Sequence, residues 1–190
     1  MSTATARGTH DPEARARQIC LRLLTAAPRT TAELAQAMHR DGVPAEAAEA
    51  ILARFADVGL VDDAAFARAW VESRHYSQGL SRRTLSAELR RRGVDTEEIR
   101  AAVDALDPEQ EAATARRLVE QKMAGSRGQP PEVRARRTAS MLARKGYPPG
   151  LVFRLIREVM EQESQGEPVG FELDPDQYLD PDPGLDEASG

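Results

Sequence analysis

Arginine is the residue type in this chain whose number and spacing could do chemistry, and that chemistry is the recognition of anions. A guanidinium presents a rigid fork of N–H donors that pairs two-pronged with a phosphate or a carboxylate. Arg82, Arg83, Arg90, Arg91 and Arg92 fall in one short stretch against a lone Glu88. From Arg134 to Arg157 there are seven bases (Arg134, Arg136, Arg137, Arg144, Lys145, Arg154, Arg157) and no acid. Arg83 and Arg90 stand seven residues apart, as do Arg137 and Arg144, and on a helix that separation returns to the same face. One arginine-rich run alone reads as a solvated face. Recurrence at equivalent positions points instead to a basic surface whose complement is a polyanion or an acidic protein groove. Arg144 and Lys145 also sit at an expected helix end, where positive charge meets the dipole favourably, so a structural role stands beside the partner role for both.

The other reactive side chains are too dispersed for catalysis. His10, His39 and His75 are scattered, and no C-x-x-C or H-E-x-x-H spacing offers metal ligands. No P-loop cradles a phosphate, and no serine or cysteine has a nucleophile's sequence context. The expectation is a protein without enzymatic activity, cofactor or metal. Adjacent Asp62 and Asp63 read as a helix start, with Asp63 as the cap, rather than as a metal pair. Trp70 follows Phe66 by four residues, which places it on a buried stripe rather than against a nucleobase.

These residues are carried by a pattern that recurs three times, each copy turning on a glycine: Gly42, Gly93 and Gly146. Four residues before each glycine stand Met38, Leu89 and Leu142; ten after it stand Leu52, Val103 and Ile156. A helical spacing repeated at such a period predicts a row of similar units that lean on their neighbours. Each unit reads as three helices. Thr30 with Glu33 forms a capping box, as does Asp95 with Glu98, and Pro44 suits the first turn of a third helix. The expected fold is all-α, a tandem array of three three-helix, helix-turn-helix-like repeats, elongated and curved. Its segments are a disordered tail over 1–13, repeats over 14–61, 62–106 and 107–165, and an acidic disordered tail over 166–190. The Gly/Pro-rich stretch from Gly125 to Pro131 is the expected hinge.

Composition bounds the rest. The formal net charge of −5 averages two unlike regions. Gly166 to Gly190 holds eight acids and no base, leaving 26 bases against 23 acids in the first 165 residues. A proline- and glycine-punctuated acidic stretch without apolar period is expected to stay unfolded. Cys20 is the only cysteine and lies on an apolar stripe with Ile19 and Leu23, as a small hydrophobe would. No run approaches the roughly 20 apolar residues of a membrane span. A cytoplasmic, monomeric protein with no membrane contact is expected.

The stretch Val58-Gly59-Leu60-Val61-Asp62-Asp63-Ala64-Ala65-Phe66-Ala67, followed by Trp70, Arg74, Gly79, Leu85, Glu88, Leu89 and Gly93-Val94, resembles the RecX regulatory proteins of bacteria. Leu142-Ala143-Arg144-Lys145-Gly146-Tyr147 resembles that family's closing signature. The likeness runs from about Ala16 to Glu163. It implies tandem three-helix repeats and binding to the RecA recombinase, along the groove of its filament on single-stranded DNA, with strand exchange, ATP hydrolysis and co-protease activity restrained. Recombination, DNA repair and the SOS response would be modulated in consequence. Arg74 matches the family's W-x-x-x-R and could bind a partner or bridge to an acid. The rival reading is a tandem helix-turn-helix-like protein that binds DNA directly. Against it, Ala45–Phe55 and Thr96–Leu106, the expected third helices, hold more acids than bases, although weak direct DNA contact stays open.

Overall fold

A computed structural model of the chain describes residues 11–164; the N-terminal stretch before Asp11 and the acidic segment Gly166–Gly190 lie outside the described residues. Among the described residues all regular structure is helical: α1 (Pro12–Ala26), α2 (Thr31–Arg40), α3 (Ala45–Asp57), α4 (Asp63–Gln78), α5 (Arg82–Arg91), α6 (Thr96–Asp104), α7 (Pro108–Ala124), α8 (Pro131–Arg144) and α9 (Pro149–Glu163). The all-α expectation holds. Helix α1 begins inside the segment set aside as a tail, because Asp11 accepts a bond from the Glu13 N–H and Pro12 needs no partner for a nitrogen without hydrogen.

The starts and stops have local causes. Thr30 accepts from the Glu33 N–H while Glu33 reaches back to the Thr30 N–H, completing the expected capping box. At α4 the two aspartates divide the work differently from expectation. Asp62, not Asp63, accepts from within its own helix, at the Ala65 N–H (2.7 Å), whereas Asp63 accepts from the Thr31 N–H at the start of α2 (2.8 Å). Asp95 caps α6 through the Glu97 N–H. Helices α2, α5 and α8 end on Gly42, Gly93 and Gly146, each with positive φ (72°, 77° and 86°). In each, the residue after the glycine donates to the carbonyl five residues back, Val43 to Met38, Val94 to Leu89 and Tyr147 to Leu142. This paired-bond turn satisfies carbonyls that a helix end leaves open, and its left-handed residue is glycine because a side chain there is strained. The three carbonyl-bearing residues, Met38, Leu89 and Leu142, are fully buried, each contributing about 1.5–3 kcal/mol relative to exposure.

The described helices fall into two compact units. One combines residues up to Trp70 with Ser86–Ala102; the other combines Val71–Leu85 with residues from Val103 onward. In the first, α1, α2 and α3 enclose a core that includes Ile19, Cys20, Leu34, Met38, Ile51 and Phe55. In the second, α7, α8 and α9 enclose Val119, Met123, Leu142, Tyr147, Ile156 and Val159.

One docking device occurs in both units. In the first, Thr30 Oγ1 donates to the Arg92 carbonyl (2.7 Å), and the adjacent Gly93 approaches α2 so closely that a Cβ there would lie 2.4 Å from the Ala32 methyl. In the second, the Ser81 N–H donates to the Lys145 carbonyl (2.9 Å), and a Cβ on Gly146 would lie 2.1 Å from Thr84 Oγ1. Gly42 has open space at that position.

Candidate partner-binding surface

The bases expected to contact a partner divide into those the fold employs and those it leaves to solvent. Arg92 belongs to the first group. Its guanidinium carbon lies 3.9 Å from the Trp70 ring centroid and 5.7 Å from that of Phe66, and its Nη1 bonds Glu33 Oε1 at 2.5 Å. Trp70 is half-buried, stacked on Phe66 with centroids 5.6 Å apart, and its Nε1–H donates to Glu88 at 2.8 Å. The tryptophan is therefore a platform between a cation and a second ring, where sequence placed it simply in the core. A guanidinium sandwiched between an indole and a carboxylate is held by cation–π attraction and a charge-assisted bond together.

Arg82 and Arg134 are tied down as well. Arg82 donates from Nε to the Val103 carbonyl (3.1 Å) and from Nη2 to Asp104 (2.7 Å), closing the end of α6. Arg134 is buried at 8 % exposure, with Nη2 donating to the Met123 carbonyl (2.9 Å) and to Glu163 (2.6 Å). A charge so enclosed holds only with such partners. Lys145 Nζ donates to the carbonyl of Gln78, the last residue of α4. Arg74 is half-buried on the same helix.

Arg83, Arg90, Arg91, Arg137 and Arg144 form the second group. All five are exposed, and among the described residues none enters a salt bridge. Arg136 on α8 and Arg157 on α9 share both properties; the sequence run contained them, but helical spacing alone did not select them. In contrast, Arg154 lies 3.9 Å from Glu158, which also pairs with Arg116.

Two further polar groups have partners that sequence reasoning did not assign. His75 is buried, with Nδ1 2.9 Å from the Leu80 carbonyl and Nε2 3.0 Å from Thr114 Oγ1. A carbonyl only accepts, so Nδ1 carries the proton and, in the neutral ring, Nε2 accepts from the threonine hydroxyl. The Glu98 carboxyl is held above its ordinary value by desolvation first and then by the Asp63 charge, with a backbone bond from Asp95 opposing the shift and the charges of Asp95 and Asp62 adding to it. Among the described residues no group of three or more His, Cys, Asp or Glu is placed to hold a metal ion, and no helix is long and apolar enough to cross a membrane.

Family profiles match the chain in three consecutive blocks: the first three-helix domain of RecX over residues 16–55, the second over 62–103 and the third over 109–156. "Regulatory protein RecX" of Thermobifida fusca is 58 % identical over 167 residues, covering 86 % of this chain and 89 % of its relative. The protein of the same name from Streptomyces coelicolor is 52 % identical over 155 residues, 82 % of each chain. A crystal structure of regulatory protein RecX superposes with a TM-score of 0.68 at 25 % identity, covering 79 % of this chain and 75 % of that one. RecX from Lactobacillus salivarius shares the fold with a TM-score of 0.69 at 15 % identity, covering 79 % and 97 %. Repeated helical triplets, the glycine turns that close them and this level of identity across most of both chains together place the chain in the RecX family of regulatory proteins.

Proposed function

We propose that this chain binds the RecA recombinase and its filament on single-stranded DNA and restrains strand exchange, ATP hydrolysis and co-protease activity. Recombination, DNA repair and the SOS response would be tuned in the cytoplasm by occupation of the filament, without covalent chemistry. The observation that carries the reading is membership of the RecX family across all three repeats. Physical support comes from the exposed arginines Arg83, Arg90, Arg91, Arg137 and Arg144, which the fold does not consume. Their exposed charge leaves hydration and counterions to be released on contact with carboxylates or phosphates. Several weak contacts on one chain add up once the first has formed.

The test is a titration of the full chain into RecA filaments on single-stranded DNA while ATP hydrolysis is followed. Suppression at well below one chain per RecA is expected. Undiminished hydrolysis at saturation contradicts the reading.

A further inference from the structure

Four helices, α2, α3, α5 and α8, close with the same paired-bond turn around a left-handed glycine. In three of them the residue after the glycine is apolar and buried: Val43 at 7 % exposure, Val94 at 5 % and Tyr147 at 3 %. That is the usual reward of the turn, an apolar contact back onto the last helical turn. The residue before the glycine is polar in the same three, Asp41, Arg92 and Lys145. At the end of α3 both rules invert. Gly59 N–H donates to Ala56 and Leu60 N–H to Phe55, yet Leu60 is 53 % exposed and Val58, before the glycine, is 68 % exposed.

Six other members of the surrounding signature have structural employment. Gly59 supplies the positive φ, Val61 is buried, Asp62 and Asp63 bond the starts of α4 and α2, Phe66 stacks on Trp70, and Ala67 is buried. Val58 and Leu60 serve none of these ends. Two carboxylates, Asp57 and Asp62, flank the pair in sequence, both exposed, and among the described residues neither enters a salt bridge.

We infer that this turn is an apolar anchor for the protein component of the filament, Val58 and Leu60 entering an apolar recess whose lysine or arginine rim meets Asp57 and Asp62. The inference rests on the function proposed above and deepens it by assigning one contact to protein rather than to DNA. Carboxylates beside the pair repel phosphates, so a nucleic-acid backbone is the wrong occupant, whereas an apolar centre with a charged rim is how protein interfaces are built.

The experiment compares full-length wild type, Val58→Ser/Leu60→Ser and Asp57→Lys for binding to immobilised RecA filaments and to naked single-stranded oligonucleotide. Because both apolar side chains are exposed, the double variant should keep its helical circular dichroism and a thermal midpoint within about 2 °C of wild type. The inference expects about tenfold or greater weakening on the filament and none on the oligonucleotide. Asp57→Lys should also weaken filament binding at low salt without weakening oligonucleotide binding. Wild-type affinity of the double variant for the filament overturns the anchor and leaves the proposed function standing; failure of wild type itself to bind filaments defeats that function. Equal loss on the naked oligonucleotide overturns the inference by making the turn a DNA contact. Conversion of a self-associated wild type to a monomeric double variant overturns it by making the occupant a second copy of this chain.

Discussion

Arg90, Arg91 and Arg92 are consecutive and identical in type, yet only Arg92 lies on an indole with a glutamate behind it. Arg92→Ala should therefore destabilise the protein by about 2–4 kcal/mol, the sum of a cation–π contact and a charge-assisted bond in a half-buried site. Arg91→Ala, at an exposed position, should stay within about 0.5 kcal/mol. Urea unfolding midpoints distinguish the two. Sequence could not sort these arginines, because the partner that captures Arg92 is Glu33, fifty-nine residues earlier. The same holds for Arg134, whose fate is decided by Glu163 at the far end of α9. Glu98 supports a prediction about pH. Its folded carboxyl titrates above its unfolded value, so between those values the folded state holds more protons and stability falls as pH rises through that window. Glu98→Gln removes the charge and should raise the thermal midpoint at pH 7, by a few degrees at most. The gain should vanish once the pH falls below about 4, where the glutamate is protonated folded and unfolded.

At the scale of elements, the glycine turns are not equivalent. Gly42→Ala meets open space and should cost about 1–2 kcal/mol for a side chain in the left-handed region. Gly93→Ala and Gly146→Ala pay that cost and also push a methyl into Ala32 or into Thr84 and Ser81, so each should lose about 1–3 kcal/mol more. A series of thermal melts that ranks all three alike would contradict the close approach. Much of this level was legible in sequence. The glycine period, the buried residue four positions before each glycine and the Thr30–Glu33 box follow from local spacing, and local spacing is what the chain displays openly. Long-range capping was not legible. Asp62 and Asp63 are equally able to cap α4, and the difference arises only because the Thr31 N–H, thirty-two residues away, comes to Asp63. Nor did periodicity single out Val58 and Leu60, since an apolar residue after a terminating glycine normally points inward.

For the whole molecule, the decisive division is between arginines consumed by folding and arginines left over. Arg82, Arg92 and Arg134 are built into helix ends and ion pairs in their own units, so mutating them disturbs the fold and says little about a partner. Arg83, Arg90, Arg137 and Arg144 are exposed, and their substitution reports on binding. The proposed function accordingly stands or falls on charge reversal at those four positions. The most direct measurement is inhibition of RecA ATP hydrolysis on single-stranded DNA by full-length Arg83→Glu/Arg90→Glu and by Arg137→Glu/Arg144→Glu, with helicity checked by circular dichroism. The account predicts that each double variant keeps wild-type helicity and needs about tenfold or more protein for half-maximal inhibition; inhibition by both at the wild-type concentration would contradict it.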